Sequence, residues 1–355
     1  MLSLIGLCLV PVVVGGVAFA LSKRDEGWKR ITLREFAVLE VICVGLAVAG
    51  FMYARHQALQ DTEHWNGRVL AKHDGTHDCC HCRDECDTCT DDDGSSYECN
   101  CVEICDHSYD YYWSLAISTG DEVVIRDCAG SPRDVPEIWI KAKINEPASV
   151  AHTYTNYLKA DPESLFVTEP PEAYARDVPA FPVIHDHYKV NKVVRHRKIP
   201  VDPGWERGLR ELNADLGPRV QVDVTLVVTP IADPAWADAV ESVWLYGPKN
   251  ALVIVVGAPD KETIAWARVV TISRVSALKV ALRDGLVGAS LKEPAPLVAM
   301  IRREVTAKFK RTPMAEFEYL MSALELPWFW ILGLYLASAL STAVLAWLFY
   351  DQVDA

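Results

Sequence analysis

From Leu326 to Tyr350 the chain runs for 25 residues without a charged side chain. No other feature limits its fold so strongly, because a backbone immersed in hydrocarbon must satisfy its own N–H and C=O groups and so must be helical. Two more such runs lie near the start. Met1 to Ser22 is uncharged and built mainly from Leu, Val, Ala and Gly, and Phe36 to Ala54 carries Glu40 as its only charge. A helix needs about 20 apolar residues to cross a bilayer, so transmembrane helices are predicted at 1–22, 36–54 and 326–350. Trp328 and Trp330 near one end of the last run, and Trp347 and Tyr350 near the other, suit the two interfaces. Ala18-Phe-Ala20 has the small residues of a signal-peptide cleavage site. The positive charges follow the first run instead of preceding it, however, so it is read as a retained span.

Orientation rests on the loop at 23–35. Lys23, Arg24, Lys29, Arg30 and Arg34 lie there against three acids, which makes it cytoplasmic by the positive-inside rule. The N-terminus and residues 55–325 then lie outside the cytoplasm, and the tail 351–355 lies inside. The lipid bilayer is the first expected partner. A formal charge of −13 excludes nucleic acid as another, since phosphate contacts need a basic face.

Nine of the 11 cysteines fall between Cys79 and Cys128: Cys79, Cys80, Cys82, Cys86, Cys89, Cys99, Cys101, Cys105 and Cys128. A Cys-x-Cys-x-x-x-Cys frame occurs at 80, 82 and 86 and again at 99, 101 and 105, with the polar turn Asp91-Asp-Asp-Gly-Ser-Ser96 between. Two related hairpins or loops would bring these thiols together. Outside the cytoplasm such a segment means disulfides, with unassigned connectivity and one thiol left over. Inside it, the same thiols with His77, His81 and His107 would mean zinc, with Cys86-x-x-Cys89 spaced as a zinc-type pair. The outward topology favours disulfides and no cofactor.

Around the cysteines, 55–145 reads as a small β module. Trp65–Lys72 forms one strand, and Tyr109–Ser118 and Glu122–Arg126 form a hairpin around Thr119-Gly-Asp121. Its tyrosines fit the packed side of a sheet better than a binding face. A Pro-, Glu- and Ala-rich connector is expected at 146–180. Tyr188–Val194 reads as a strand that would turn His185 and His187 to one side, more simply a solvated edge than a metal site. A helix is expected over Pro203–Leu216, ended by Gly217-Pro218. Apolar strands at Val220–Thr229 and Ala251–Gly257 bracket a helix ending at Trp244, and a third strand lies at Thr263–Thr271. Helices follow at 273–287 and 293–310. Thr312-Pro opens an amphipathic one that leads to the last span. The expected class is a membrane-anchored α+β chain: three transmembrane helices, a cysteine-rich β module, an α/β domain at 181–292 and a helical stalk at 293–325.

The order of these elements over about 181–290 resembles the TPM-domain family. It rests on the strand ending Val227-Val-Thr229, the helix ending in Trp244, the Gly247-Pro-Lys-Asn250 turn and the strand Leu252–Val256. That resemblance implies a membrane-anchored domain outside the cytoplasm that serves assembly or maintenance of membrane complexes, with a membrane or envelope protein as partner. A few members are described as phosphatases, so a metal-dependent hydrolase using Asp233 or Asp260 is the alternative. The family's metal-binding acidic residues have no match here, and no catalytic, cofactor or metal residue is carried over. The wider layout is similar to membrane proteins of tailed bacteriophages, on segments such as Glu146–Val150 and Asn156–Lys159. The sequence has no phosphate-binding Gly loop, no Gly-x-Ser-x-Gly and no His-Glu-x-x-His. Display and interaction are expected in preference to catalysis.

Overall fold

The structure is a computed structural model that describes residues 2–24, 31–91, 94–130, 134–161, 172–244 and 249–351. Lys29 and Arg30 of the first loop, Gly247 and Pro248 of the Gly247-Pro-Lys-Asn250 turn, the centre of the connector and the tail 352–355 lie outside them. The helices are α1 (Leu2–Arg24), α2 (Leu33–Ala58), α3 (Glu137–Lys141), α4 (Glu172–Ala175), α5 (Pro203–Val220), α6 (Trp236–Trp244), α7 (Ser276–Leu286), α8 (Pro294–Lys308) and α9 (Trp328–Asp351). The strands are β1 (Gln60–Asp78), β2 (Cys82–Thr90), β3 (Ser96–Cys105), β4 (Tyr109–Ile117), β5 (Glu122–Ala129), β6 (Pro147–Thr155), β7 (Val193–Arg195), β8 (Asp223–Thr229), β9 (Ala251–Gly257) and β10 (Trp266–Val270). The chain is α+β, and it divides into two compact units.

The first unit comprises 1–61, 155–164 and 314–355. In it α1, α2 and α9 pack pairwise against one another. Each contains a stretch long and apolar enough to cross a membrane: Leu4–Lys23, Leu33–Ala58 and Trp328–Leu348. The second begins three residues before the expected Phe36, because Thr32 and Glu35 form a reciprocal capping box at its start. The helices meet along a narrow seam that includes Leu7, Ala47, Phe51 and Ala54. Leu9, Val13, Val41, Leu46, Leu336 and Leu340 remain exposed. Glu40 is turned inward onto Gly15 of α1, where a Cβ would collide with its carboxylate. The expected amphipathic α-helix after Thr312 is a 3₁₀ segment, Met314–Ala323. Its buried residues, Met314, Phe317 and Leu320, recur every third position, matching three residues per turn.

The second unit comprises 62–154 and 165–313. Its first sheet has the order β5-β4-β1-β6, with β4 antiparallel to both β1 and β5. Val69, Leu115, Ile117, Ala148 and Val150 form its core. Its second sheet has the order β10-β9-β8-β7, in which β7, β8 and β9 are parallel and β10 is antiparallel to β9. Every residue of β8 and β9 is buried, because helices cover both faces. Leu209, Leu212, Leu282 and Ile301 of α5, α7 and α8 pack on one face. Trp236, Val240 and Trp244 of α6 pack on the other.

Several expectations are corrected. Residues 147–155, assigned to a connector, are β6, the strand beside β1. Tyr188–Val194 is not a strand. Asp186 and His187 both adopt positive φ, which folds the chain into a tight turn bridged between His185 and Lys189, and only 193–195 form a strand. His185 and His187 therefore do not share a strand face. Helix α5 continues through Gly217-Pro218 and stops at Gln221, which is left-handed with φ of 52°. That last turn is kept by tertiary packing, with Leu216 and Gly217 buried.

Candidate functional site

Asp223 opens β8 with no exposed surface. An unpaired carboxylate there would cost several kcal/mol in lost hydration. Three donors converge on it. Lys192, buried just ahead of β7, places Nζ on Oδ1. Asn66 Nδ2 donates to the same oxygen at 3.0 Å, and His64 Nδ1 lies 3.1 Å from Oδ2. Burial alone would raise this carboxyl; the Lys192 charge and then the His64 hydrogen bond outweigh it and hold the group far below its ordinary 3.8. The network extends outward. Ser149 donates to Asn66 Oδ1 at 2.7 Å, and Asn250 Nδ2 donates to the His64 carbonyl at 2.7 Å. Groups from β1, β8 and the lead-in to β7 thus meet at one carboxylate, with β6 joined to it through Asn66, and this network clamps the two sheets of this unit together.

A cleft of about 450 Å³ opens beside the clamp, lined by His64, Trp65, Asn66, Thr119, Gln221 and Asn250 among others. Among the described residues its lining has no acid or thiol, and its one imidazole, His64, is held by Asp223, so the cleft can hydrogen-bond a polar group. Gly217 forms part of the wall, and a Cβ there would run into the Asn66 main-chain carbonyl. Gly217→Ala is therefore expected to lower stability by about 1–3 kcal/mol, the cost of overpacking a fitted contact, as read by urea unfolding.

Parallel sheets tend to bind ligands at the carboxyl ends of their strands. There Thr229 Oγ1 lies 2.8 Å from His196 Nδ1, and His196 Nε2 lies 3.2 Å from Asp177 Oδ1. Hydroxyl, imidazole and carboxylate fall in the order of a nucleophilic triad. Thr229 has no exposed surface, however, and its hydroxyl accepts the Ile231 N–H, while His196 stacks on Trp236. A substrate cannot reach the hydroxyl, so the arrangement is a buried Thr229–His196 hydrogen bond with the part-exposed Asp177 at ion-pair distance. Asp233 and Asp260, the residues of the hydrolase alternative, hold their own turns. Asp233 accepts the Ala235 N–H and the Tyr174 hydroxyl, and Asp260 accepts the Glu262 and Thr263 N–H groups. Among the described residues, no group able to hold a metal includes either.

The cysteine module is a single hairpin, not two. Its antiparallel strands β2 and β3 carry one copy each of most of the repeated frame. Four disulfides join Cys80 to Cys128, Cys82 to Cys105, Cys86 to Cys101 and Cys89 to Cys99. The antiparallel register explains the nesting, since Cys82 lies directly opposite Cys105. Cys79 is left without a disulfide. Its thiol lies with His81, His107 and Asp110, whose potential ligand atoms all fall within 4.8 Å of one another. His107 Nε2 is 2.6 Å from Asp110 Oδ1, and His81 Nδ1 is 3.2 Å from Oδ2, which also accepts the Cys80 N–H at 2.7 Å. Burial would raise the Asp110 carboxyl, but the Cys80 N–H and the two imidazoles bring it down to about 2. His77 is drawn elsewhere, with Nε2 2.5 Å from Asp127. Of the tyrosines, Tyr109 is exposed, and Tyr109, Tyr111 and Trp113 form a ladder along β4 that ends in the core at Trp113.

His81 and His107 stand near the thiols in the sequence, whereas Asp110 lies outside the cysteine run at 79–105. Its signal was faint: one acid inside an aromatic strand, Tyr109-Asp-Tyr-Tyr-Trp113. Asp223 and Lys192 left no comparable mark. No protein-family model, curated protein or solved structure matches this chain.

Proposed function

We propose that the chain is an integral membrane protein that displays its second unit outside the cytoplasm for assembly with a membrane or envelope protein. The observation that carries this reading is the pairing of three membrane-length helices with four disulfides in one chain. Stable disulfides belong to oxidising compartments. The exterior of the helices supports the membrane part, since Leu9, Val13, Val41, Leu336 and Leu340 face outward where a water-soluble bundle would carry polar side chains. The basic loop at 23–35 supports the direction. The order β7, α5, β8, α6, β9 supports kinship with the TPM domain, whose members imply an assembly role. Neither the saturated Asp223 clamp nor the enclosed Thr229 hydroxyl offers a reacting group, which favours binding over catalysis.

The test is a reporter fused after α2, combined with non-reducing mass spectrometry and isolation in mild detergent. An extracytoplasmic reporter, oxidised thiols at 80–128 and a co-purifying membrane protein are expected. A cytosolic reporter with reduced thiols sinks the topology. A protein that is oxidised and outward but monomeric and partnerless sinks the assembly role alone.

A further inference from the structure

We propose that Cys79, His81, His107 and Asp110 form a structural zinc site, a role that goes beyond membrane display and does not depend on it. Zinc in structural sites takes four protein ligands in a tetrahedron and favours thiolate, imidazole and carboxylate. The four residues supply one sulfur, two nitrogens and one oxygen. Their donor atoms already lie within 4.8 Å of one another. Tetrahedral zinc places its ligand atoms about 3.5 Å apart, given bonds of roughly 2.0–2.3 Å. The remaining contraction is small, and the two imidazoles are exposed enough to supply it by turning.

Three features make this a prepared site. Its ligands come from separate segments: Cys79 and His81 from the link between β1 and β2, His107 from the link between β3 and β4, and Asp110 from β4 itself. Those segments are already fastened, because Cys80–Cys128 and Cys82–Cys105 flank Cys79 and His81. The Asp106 N–H also donates to the His81 carbonyl at 3.2 Å, holding the two links side by side. Finally, the Asp110 side chain is wholly buried, and the groups facing it are the two imidazoles and one N–H. A carboxylate in that position is a ready anchor, and the Cys80 N–H supplies the outer hydrogen bond that orients it. Cys79 loses its thiol proton on binding. With all four positions taken by protein, the site holds the base of the hairpin and performs no chemistry on a substrate.

The full chain, purified in mild detergent without chelator or reductant, is the material for the test. Elemental analysis should find about one zinc per chain, as expected for a closed four-ligand site. Exchange for Co²⁺ should produce a sulfur-to-cobalt charge-transfer band in the near ultraviolet. Cys79→Ser should abolish that band, and His107→Ala and Asp110→Asn should each lower zinc affinity at least about tenfold, in line with loss of one ligand. His185→Ala, on an exposed histidine elsewhere, should leave both unchanged. A peptide map retaining the four disulfides shows that a variant has folded. If Asp110→Asn does not fold, Cys79→Ser still decides, because its thiol holds no disulfide. Metal-free full chain, zinc retained at wild-type level in folded Cys79→Ser and His107→Ala, or Cys79 found in a disulfide with a second thiol would each overturn the site.

Discussion

Asp223→Ala is expected to destabilise the second unit by about 3–5 kcal/mol, the scale on which removing one member of a buried ion pair is felt. The loss is large because Lys192, fully buried, would be left without its counter-ion, and Asn66 and His64 would lose their acceptor. Hydrogen exchange at the β8 amides, Val224 to Val228, reads the effect locally and separates it from the apolar helices. The double change Lys192→Met, Asp223→Leu should recover most of the loss, since a well-packed apolar pair is often as stable as a buried ion pair. Full protection of β8 in the single variant would refute the clamp. The same residue imposes a pH dependence. Its folded-state value lies below the unfolded one, so its contribution is complete above the unfolded value of 3.8 and is lost as pH falls from there toward the folded value. Unfolding free energy should therefore drop on acidification below about pH 4, and the slope should be shallower in Asp223→Asn. Asp215, paired with Arg68 and Arg302, and Asp177 are also held low and add to the wild-type slope, so the variant-minus-wild-type difference is the measurement that isolates Asp223.

Reduction of the four disulfides is the second large effect. Strands β2 and β3 have no buried residue, so the hairpin has no apolar face to hold it once the bridges open. The bridges close separations of 48, 23, 15 and 10 residues. Loops of this size are worth about 3 kcal/mol each in the chain-entropy account, although nested bridges do not add. Mild reductant should expose Arg83 to trypsin and abolish protection across 82–105, while the sheet core at Leu115 and Ile117 stays protected by its own packing. Protection of the hairpin that survives reduction would show another source of order, such as the proposed zinc. A chelator added with the reductant distinguishes the two.

The apolar helices and the two central strands were legible because composition alone specifies them. A run of about 20 uncharged residues has few other outcomes, and Val-Ile-Val-Val between breakers suits a strand covered on both faces. Helix α5 was legible from Leu209, Leu212 and Leu216, but its end was not, because the local signal of Gly217-Pro218 was overruled by packing onto β1. Strand β6 was hidden by prolines and glutamates in a segment whose pairing partner, β1, lies far back in the chain. The single hairpin of the cysteine module was half visible: the repeat marked two related segments, expected as two hairpins or loops, and only their antiparallel pairing as one hairpin shows which thiols face each other.

Hydrophobic length, charge asymmetry and cysteine density are properties of contiguous stretches, so the linear chain carries them unaided. The clamp and the cluster at Cys79 are properties of distance. His64 and Asp223 are 159 positions apart and Lys192 and Asp223 are 31 apart, yet they share one buried carboxylate. Cys79 becomes a ligand candidate only because eight other thiols find partners and Asp110 arrives from the next strand. Polar groups leave no periodic trace in the chain; the low dielectric of a folded interior is what forces them together.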